Sequence, residues 1–254
     1  MTGSLVVVGT GPGKADLMTP ATTAALAKAT DLVGYGPYLD RVPVVPDQCR
    51  HASDNRVELE RAKHALLLAA QGRQVVVVSG GDPGVFAMAS AVFEAVESGD
   101  PAWRGLDIRV EPGVTAMLAA AAEVGAPLGG DFCAISLSDN LKAWATIERR
   151  LKAATEADFV IALYNPASKA RLDQLGTAFD LLRTVKSADT PVLFVRAAGT
   201  AEATVITTTL GAADPARADM RTLVLVGAST TRLIAREGLP PWVYTPRSER
   251  GVRS

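Results

Sequence analysis

The sequence predicts a layered α/β protein of two units, the first on a mostly parallel sheet and the second on a mixed sheet. Three observations carry this expectation. Short β-branched runs alternate with Ala/Leu-rich stretches at helical spacing along the whole chain. The length of 254 residues fits one to two domains at about 150 residues each. The segment GAPLGG at 125–130 gathers glycine and proline between a helical pattern and a fresh strand, which places the boundary there and gives units 1–127 and 128–254.

The expected strands are 4–8, 31–34, 74–79, 106–110, 132–137, 158–163, 191–195, 203–209 and 222–227. The expected helices are 19–29, 58–71, 85–98, 114–124, 144–155, 169–185 and 230–237. In the helix at 19–29, Thr19 is a fitting N-cap, and Pro20 stands in the first turn, where a missing N–H costs nothing. In 58–71, Leu59, Ala62, Ala65, Leu66 and Ala69 mark one apolar face, and Gly72 follows as a stop. The last strands, VITTTL and TLVLVG, are separated by an Asp/Pro/Ala loop too short for a helical crossover, so they are expected as antiparallel neighbours. The tail from Pro240 to Ser254 is rich in Pro, Arg and Ser and reads as a loose terminus.

Composition excludes several classes. With 48% hydrophobic and 21% charged residues the chain is not a disordered tail. Its 26 Lys and Arg against 27 Asp and Glu give a net charge of −1, so no global positive field holds a nucleic acid, and an anionic ligand must be met by local groups. Apolar runs such as VVVVS are strand-length, far below the roughly 20 residues that span a bilayer. The N-terminal MTGSLVVVGTGPG has no basic segment ahead of its apolar run, so no secretory signal is read. Cys49 and Cys133 are the only cysteines, without a CxxC, and His51 and His64 are the only histidines. That predicts a reducing, cytoplasmic setting and no metal site.

Three glycine-bearing loops follow three expected strands of the first half. GTGPG at 9–13 is not a dinucleotide fingerprint, because Lys14 stands where the last glycine belongs and Pro12 removes an N–H. A P-loop would need glycine at Val8 and Ser or Thr at Ala15. SGGDPGVFAMA at 79–89 leaves the backbone bare at Gly80, Gly81 and Gly84 and adds the Asp82 carboxylate, which suits an amino-acid or sulfonium ligand better than a phosphate; an N-cap role is the alternative for Asp82. EPGVTAM at 111–117 opens a helix at Thr115 and Ala116. The carboxyl edge of a parallel sheet is where open α/β folds bind ligands.

These motifs, with DLMT at 16–19, GYGPYL at 34–39, GAPLGGDFCAISLSD at 125–139, ALYNPASKAR at 162–171, RAAG at 196–199 and VGAST at 226–230, resemble the tetrapyrrole methylases from about residue 4 to 232. Within that superfamily GYGPYL, DFCAISLSD and ALYNPASKAR are most similar to the C17-methyltransferases of cobalamin biosynthesis. Lys14 and Ala15 depart from the small or acidic residue and proline common in the first loop, and Phe86 stands where tyrosine is frequent.

The resemblance implies a homodimer of two-domain αβα chains, an active-site cleft between the halves, S-adenosylmethionine as methyl donor and S-adenosylhomocysteine as product. It implies methylation of precorrin-3B at C17 with ring contraction to precorrin-4, and no nucleic-acid or membrane partner. It places Pro12, Gly80, Gly81, Asp82, Thr115, Ala116, Tyr164, Asn165, Ala198, Gly227 and Ala228 at the cofactor. Asp16, Asp82, Asp139 and His51 are the candidate bases for the contraction. Tyr35, Tyr38, Arg41, Arg50, Arg56, Lys142, Trp144, Lys169 and Arg171 are the candidate residues for the polycarboxylated substrate. Cobalt-factor III is the alternative substrate, and a nucleotide-binding redox or sensory module is the alternative class. The superfamily's methylases of ribosomal RNA and of a translation factor are disfavoured by the balanced charge.

Overall fold

A computed structural model describes residues 3–55, 57–168 and 172–248. The chain divides into two compact units, 1–116 and 117–254.

The first unit runs β1 (Ser4–Gly9), α1 (Pro20–Lys28), β2 (Asp31–Tyr35), α2 (Gly36–Leu39), β3 (Cys49–Ser53), α3 (Glu58–Ala70), β4 (Gln74–Ser79), α4 (Met88–Ser98) and β5 (Asp107–Glu111). Its sheet is ordered β3-β2-β4-β1-β5, and every pairing is parallel. Continuous apolar runs such as LVVV and VVVV fit strands covered on both faces. One face packs Leu5, Val7, Val75 and Val77 with α3 and α4, and the other packs Val8, Leu32, Val76 and Val78 with Leu26 of α1 and Leu39 of α2. The Thr19 hydroxyl accepts the N–H of Thr22, as its N-cap reading requires. In α3 the buried stripe is Arg61, Ala62, Ala65, Leu66 and Ala69, whereas Leu59 is exposed. The apolar face expected from sequence is therefore turned so that an arginine takes the place of a leucine.

The second unit runs α5 (Ala116–Val124), β6 (Gly125–Ala126), β7 (Phe132–Ser136), α6 (Trp144–Glu156), β8 (Val160–Tyr164), α7 (Gln174–Arg183), β9 (Pro191–Arg196), β10 (Thr204–Thr209), β11 (Thr222–Val226), β12 (Arg232–Arg236) and β13 (Leu239–Tyr244). The main sheet is ordered β10-β9-β11-β8-β7. Only β7 and β8 are parallel; the other pairings are antiparallel, so the sheet is mixed. Phe179, Phe194, Leu151, Leu163 and Leu175 form the centre of its core with α6 and α7.

Three expectations are corrected. β10 and β11 are not neighbours: each pairs with β9, which lies between them. Burial explains the order, because β9 and β11 are apolar except for one end residue each and are buried nearly throughout in interior positions, while the threonine-rich TVITTT of β10 takes the edge. The segment expected as a helix at 230–237 is strand β12, which returns into β13. The turn between them is Glu237–Gly238, and Gly238 has φ 66°, a conformation suited to glycine in a two-residue hairpin. Finally, residues 239–244 are not loose. β13 pairs with β12 and with β6, and the buried Thr245 donates its N–H to the carbonyl of Ala126 and its hydroxyl to that of Pro127. Those bonds tie 125–127 to the C-terminal hairpin, so the GAPLGG segment lies inside the second unit, and the divide falls at the first turn of α5, after Ala116.

Candidate functional site

The strand order sets β4, β1 and β5 side by side, so the three loops that follow them emerge together from the carboxyl edge of the first sheet. The loops are bonded to one another directly. Gly11 and Gly81 exchange both N–H···O bonds, at 3.1 and 2.9 Å. Both have left-handed backbones, φ 72° and 66°, in which side chains are strained. The Asp82 carboxylate accepts the Gly84 N–H at 2.8 Å with one oxygen and the Gly113 N–H at 3.0 Å with the other. It thus bridges the second loop to the third and does not cap α4, whose preceding residue is Ala87. A Cβ added at Gly9 would stand 2.5 Å from the Gly81 carbonyl oxygen and 2.8 Å from the Gly113 Cα. Only bare backbone permits this junction.

Thr115 is buried next to Ala116, and both are the nearest neighbours of the space above Gly81, where an added Cβ would meet no atom closer than 3.8 Å. Pro12 is half-buried on the first loop. The unit thus offers a small open cradle lined by backbone carbonyls and N–H groups beside Gly81. Bare backbone of this kind lets a ligand approach the main chain closely.

The GYGPYL segment packs onto the same edge. A Cβ at Gly80 would come within 2.8 Å of the Tyr38 ring. Tyr35 and Tyr38 stack edge-to-face at 5.4 Å between centroids, and the Arg41 guanidinium lies 5.6 Å from the centre of the Tyr38 ring. Arg50 is not available to a substrate, because its fork donates to the carbonyls of Leu39, Val42 and Pro43. Arg56, Lys169 and Arg171 lie outside the described residues.

His51 is likewise committed. Its Nε2 stands 3.0 Å from Asp31 and its Nδ1 3.1 Å from His64 Nε2. Asp31 opens β2 beside Cys49 of β3, at the amino edge of the sheet and away from the glycine loops. Burial alone would raise the Asp31 pKa, but hydrogen bonds from Arg73, Thr30 and His51 and the charge of Arg73 outweigh it and hold the carboxyl at about 2, against 3.8 unfolded. The folded value is the lower one, so ionised Asp31 contributes stability above about pH 4 that is lost as pH falls through about 2. The difference amounts to about 2 kcal/mol. Denaturation titrations of the wild type and Asp31→Asn at about pH 6 and about pH 2 should show that the acid-induced loss of stability is smaller in the variant; equal losses would refute this account.

Asp16 is exposed in the 3-10 turn Ala15–Leu17. Asp139, in the second unit, is also exposed and accepts from Gln174 Nε2 at 3.4 Å. Within that unit, Tyr164, Asn165 and Ala198 lie at the shared carboxyl end of β8 and β9. The Tyr164 hydroxyl accepts the Met117 N–H at 3.0 Å, and Asn165, at φ 52°, donates to the Ser136 hydroxyl at 2.9 Å. Gly227 and Ala228 do not join them. β11 runs antiparallel to β8 and β9, and Val226 pairs with Ile161 and Val192, so these two residues sit at the opposite edge. There the Ala228 N–H donates to the Thr231 hydroxyl at 2.9 Å. Lys142 is half-buried, and burial together with Arg150 pushes its ammonium pKa down. The Trp144 indole donates to Glu148 at 2.6 Å while its ring packs on the second core.

One buried charge at this edge is not singled out by the sequence. Arg61, on the inward stripe of α3, buries its guanidinium beside Ser53 and Met88 at the carboxyl edge of the first sheet. Its signal was a charge at a position in register with Ala65 and Ala69.

Among the described residues no helix is long and apolar enough to cross a membrane, and no group of three or more His, Cys, Asp or Glu side chains is placed to hold a metal. Both cysteines are free.

Comparison with known proteins places these features in a family. Residues 4–214 match the model of the Tetrapyrrole (Corrin/Porphyrin) Methylases. A precorrin-3B C(17)-methyltransferase of Sinorhizobium sp is 59% identical over 252 residues, covering 99% of both chains. A probable cobalt-factor III C(17)-methyltransferase of Salmonella typhimurium is 42% identical, covering 96% of this chain and 98% of that one. The crystal structure of the methyltransferase CobJ matches with a TM-score of 0.92 and 54% identity, over 96% of this chain and 100% of that one.

Proposed function

This chain belongs to the tetrapyrrole (corrin/porphyrin) methylases, and on that premise we propose that it methylates precorrin-3B at C17 with S-adenosylmethionine, contracting the ring to precorrin-4 in cobalamin biosynthesis. The observation that carries the substrate is the 59% identity to the precorrin-3B enzyme over 99% of both chains, against 42% to the cobalt-factor III enzyme. The reading makes the protein a cytoplasmic enzyme and a homodimer.

S-adenosylmethionine, when bound, supplies an activated methyl group that leaves the sulfonium for carbon and yields S-adenosylhomocysteine. The work left to the chain is orientation, and well-placed reactants gain about 7–11 kcal/mol from that alone. The bonded glycine loops of the first unit do this by fixing the backbone around Gly81; Pro12, Gly80, Thr115 and Ala116 line the same edge. Asp82 holds two loops together and is not disposed as a free base. His51 is tied to Asp31 at the other end of the sheet. The aromatic pair Tyr35 and Tyr38, with Arg41, offers the macrocycle a stacking surface beside Gly80.

Incubation with precorrin-3B and methyl-labelled S-adenosylmethionine should give a labelled, ring-contracted product by mass and absorption spectra. Turnover of the cobalt-loaded substrate alone would overturn the assignment, and tight binding of NAD in place of S-adenosylmethionine would return the redox-module reading.

A further inference from the structure

Arg61 stands on α3 with only 5% of its surface exposed. A buried charge is normally met by an opposite one, because desolvation is otherwise uncompensated. Among the described residues no carboxylate bonds to Arg61, and Glu58 acts on it only through its charge. Its Nε donates to the Ser53 hydroxyl at 2.8 Å, one Nη to the Asp54 carbonyl at 2.6 Å, and the other Nη to the Met88 thioether at 3.3 Å. All three acceptors are neutral, and a thioether is a weak one. Burial pushes the guanidinium pKa down, opposed by Glu58 and by Tyr38. The fold buries a cation that no bonded carboxylate compensates.

Its position gives that cation a use. Ser53 closes β3 and pairs in register with Tyr35, Met88 opens the helix behind the second glycine loop, and the Tyr38 ring presses against Gly80. Arg61 therefore lies at the carboxyl edge, next to the aromatic pair and the glycine junction. The group over its third donor is a methionine side chain, unbranched and readily rotated, which a stronger acceptor would displace. Guanidinium and carboxylate are matched in shape as well as charge, through paired N–H···O bonds.

We propose that Arg61 is a substrate-reading cation, its guanidinium bonded only to neutral acceptors until a carboxylate arm of the tetrapyrrole displaces Met88 and pairs with it beside Tyr35 and Tyr38. This rests on the tetrapyrrole methylase reading above. It adds to Arg41 a second named cation for the substrate at this edge.

The test uses the full chain with Arg61→Met and Arg61→Lys. An isosteric apolar side chain removes a buried unpaired charge, so Arg61→Met should fold and melt no lower than wild type. Its KM for precorrin-3B should rise about tenfold, the loss of one charge-assisted hydrogen bond, while calorimetry shows unchanged S-adenosylmethionine affinity. Arg61→Lys should fall between the two, since it keeps the charge and loses the fork. Wild-type KM should also rise with salt more steeply than that of Arg61→Met. A wild-type KM in Arg61→Met would overturn the proposal and leave Arg61 a backbone tie, as would failure of both variants to fold. Inactivity of the wild type toward precorrin-3B would defeat the functional reading and this inference together; wild-type turnover with an unaltered variant defeats this inference alone.

Discussion

Gly113→Ala should break the junction of the three loops and abolish S-adenosylmethionine binding. Gly113 needs no unusual backbone angle; what it needs is the absence of a side chain. An added Cβ would overlap the Gly81 carbonyl oxygen and stand 2.8 Å from that of Gly9. Both obstacles are main chain, and both belong to loops fixed by their own bonds, Gly81 to Gly11 and Thr10 to Ser79. No flexible side chain is present to yield. Relief requires displacing a loop, at a cost of about 3 kcal/mol, the upper range for overpacking. Gly81→Ala is the informative contrast. There the space is open but φ is 66°, so the stability cost is about 1–2 kcal/mol of backbone strain, while the new methyl enters the proposed cradle. Chemical denaturation and calorimetry on the two variants should separate the effects: Gly113→Ala loses stability and binding, Gly81→Ala chiefly binding. A Gly113→Ala protein that binds like wild type would show that the junction does not shape the ligand site.

The contrast between these two glycines shows what the sequence can and cannot display. That glycine-rich loops follow three parallel strands is local information, readable from β-branched runs ending in GTG, SGG and EPG. That the loops are bonded to one another depends on the strand order β4-β1-β5, which no local pattern states. The same limit explains the misplacement of β10 and β11. Their connection is short enough for adjacency, yet β9 is the more apolar strand and takes the interior position between them. At 230–237 the residues LIA read as well on a helix as on a strand. The deciding signal is Gly238 after Glu237, a hairpin turn whose partner strand contains two prolines and so reads poorly as a strand.

Charged side chains were the least legible of all. Arg50, Arg61 and His51 all lie on or near β3 and α3; the sequence marks Arg50 and His51 as candidates and passes over Arg61. Their fates differ because of what the fold puts opposite them: three carbonyls for Arg50, a buried carboxylate for His51, and neutral atoms for Arg61. Periodicity hinted at Arg61 alone, since it shares a helical stripe with Ala65 and Ala69, and the nearby Leu59 obscured that hint by completing an apolar face on its own.

Asp82 is the residue on which the positioning and catalytic readings of this edge diverge most, and Asp82→Asn separates them. As a bridge, the carboxylate offers one oxygen to Gly84 and the other to Gly113. An amide can replace only one of these acceptors; its NH2 then faces a backbone N–H, donor against donor. Each charge-assisted bond is worth about 1.5–3 kcal/mol, so Asp82→Asn should weaken S-adenosylmethionine binding by about a hundredfold and lower stability by about 2 kcal/mol. Asp82→Ala, which removes both acceptors, should do no better. The turnover that remains at saturating cofactor should keep the wild-type pH profile, since no proton is routed through the carboxylate. A general base would behave in the opposite way: Asp82→Asn would bind the cofactor as wild type does and lose kcat, with the acidic limb of the profile gone. Calorimetry and a pH series on the one variant are sufficient, because a bridge moves Kd and a base moves kcat, and the two oxygens of Asp82 already have partners in the folded chain.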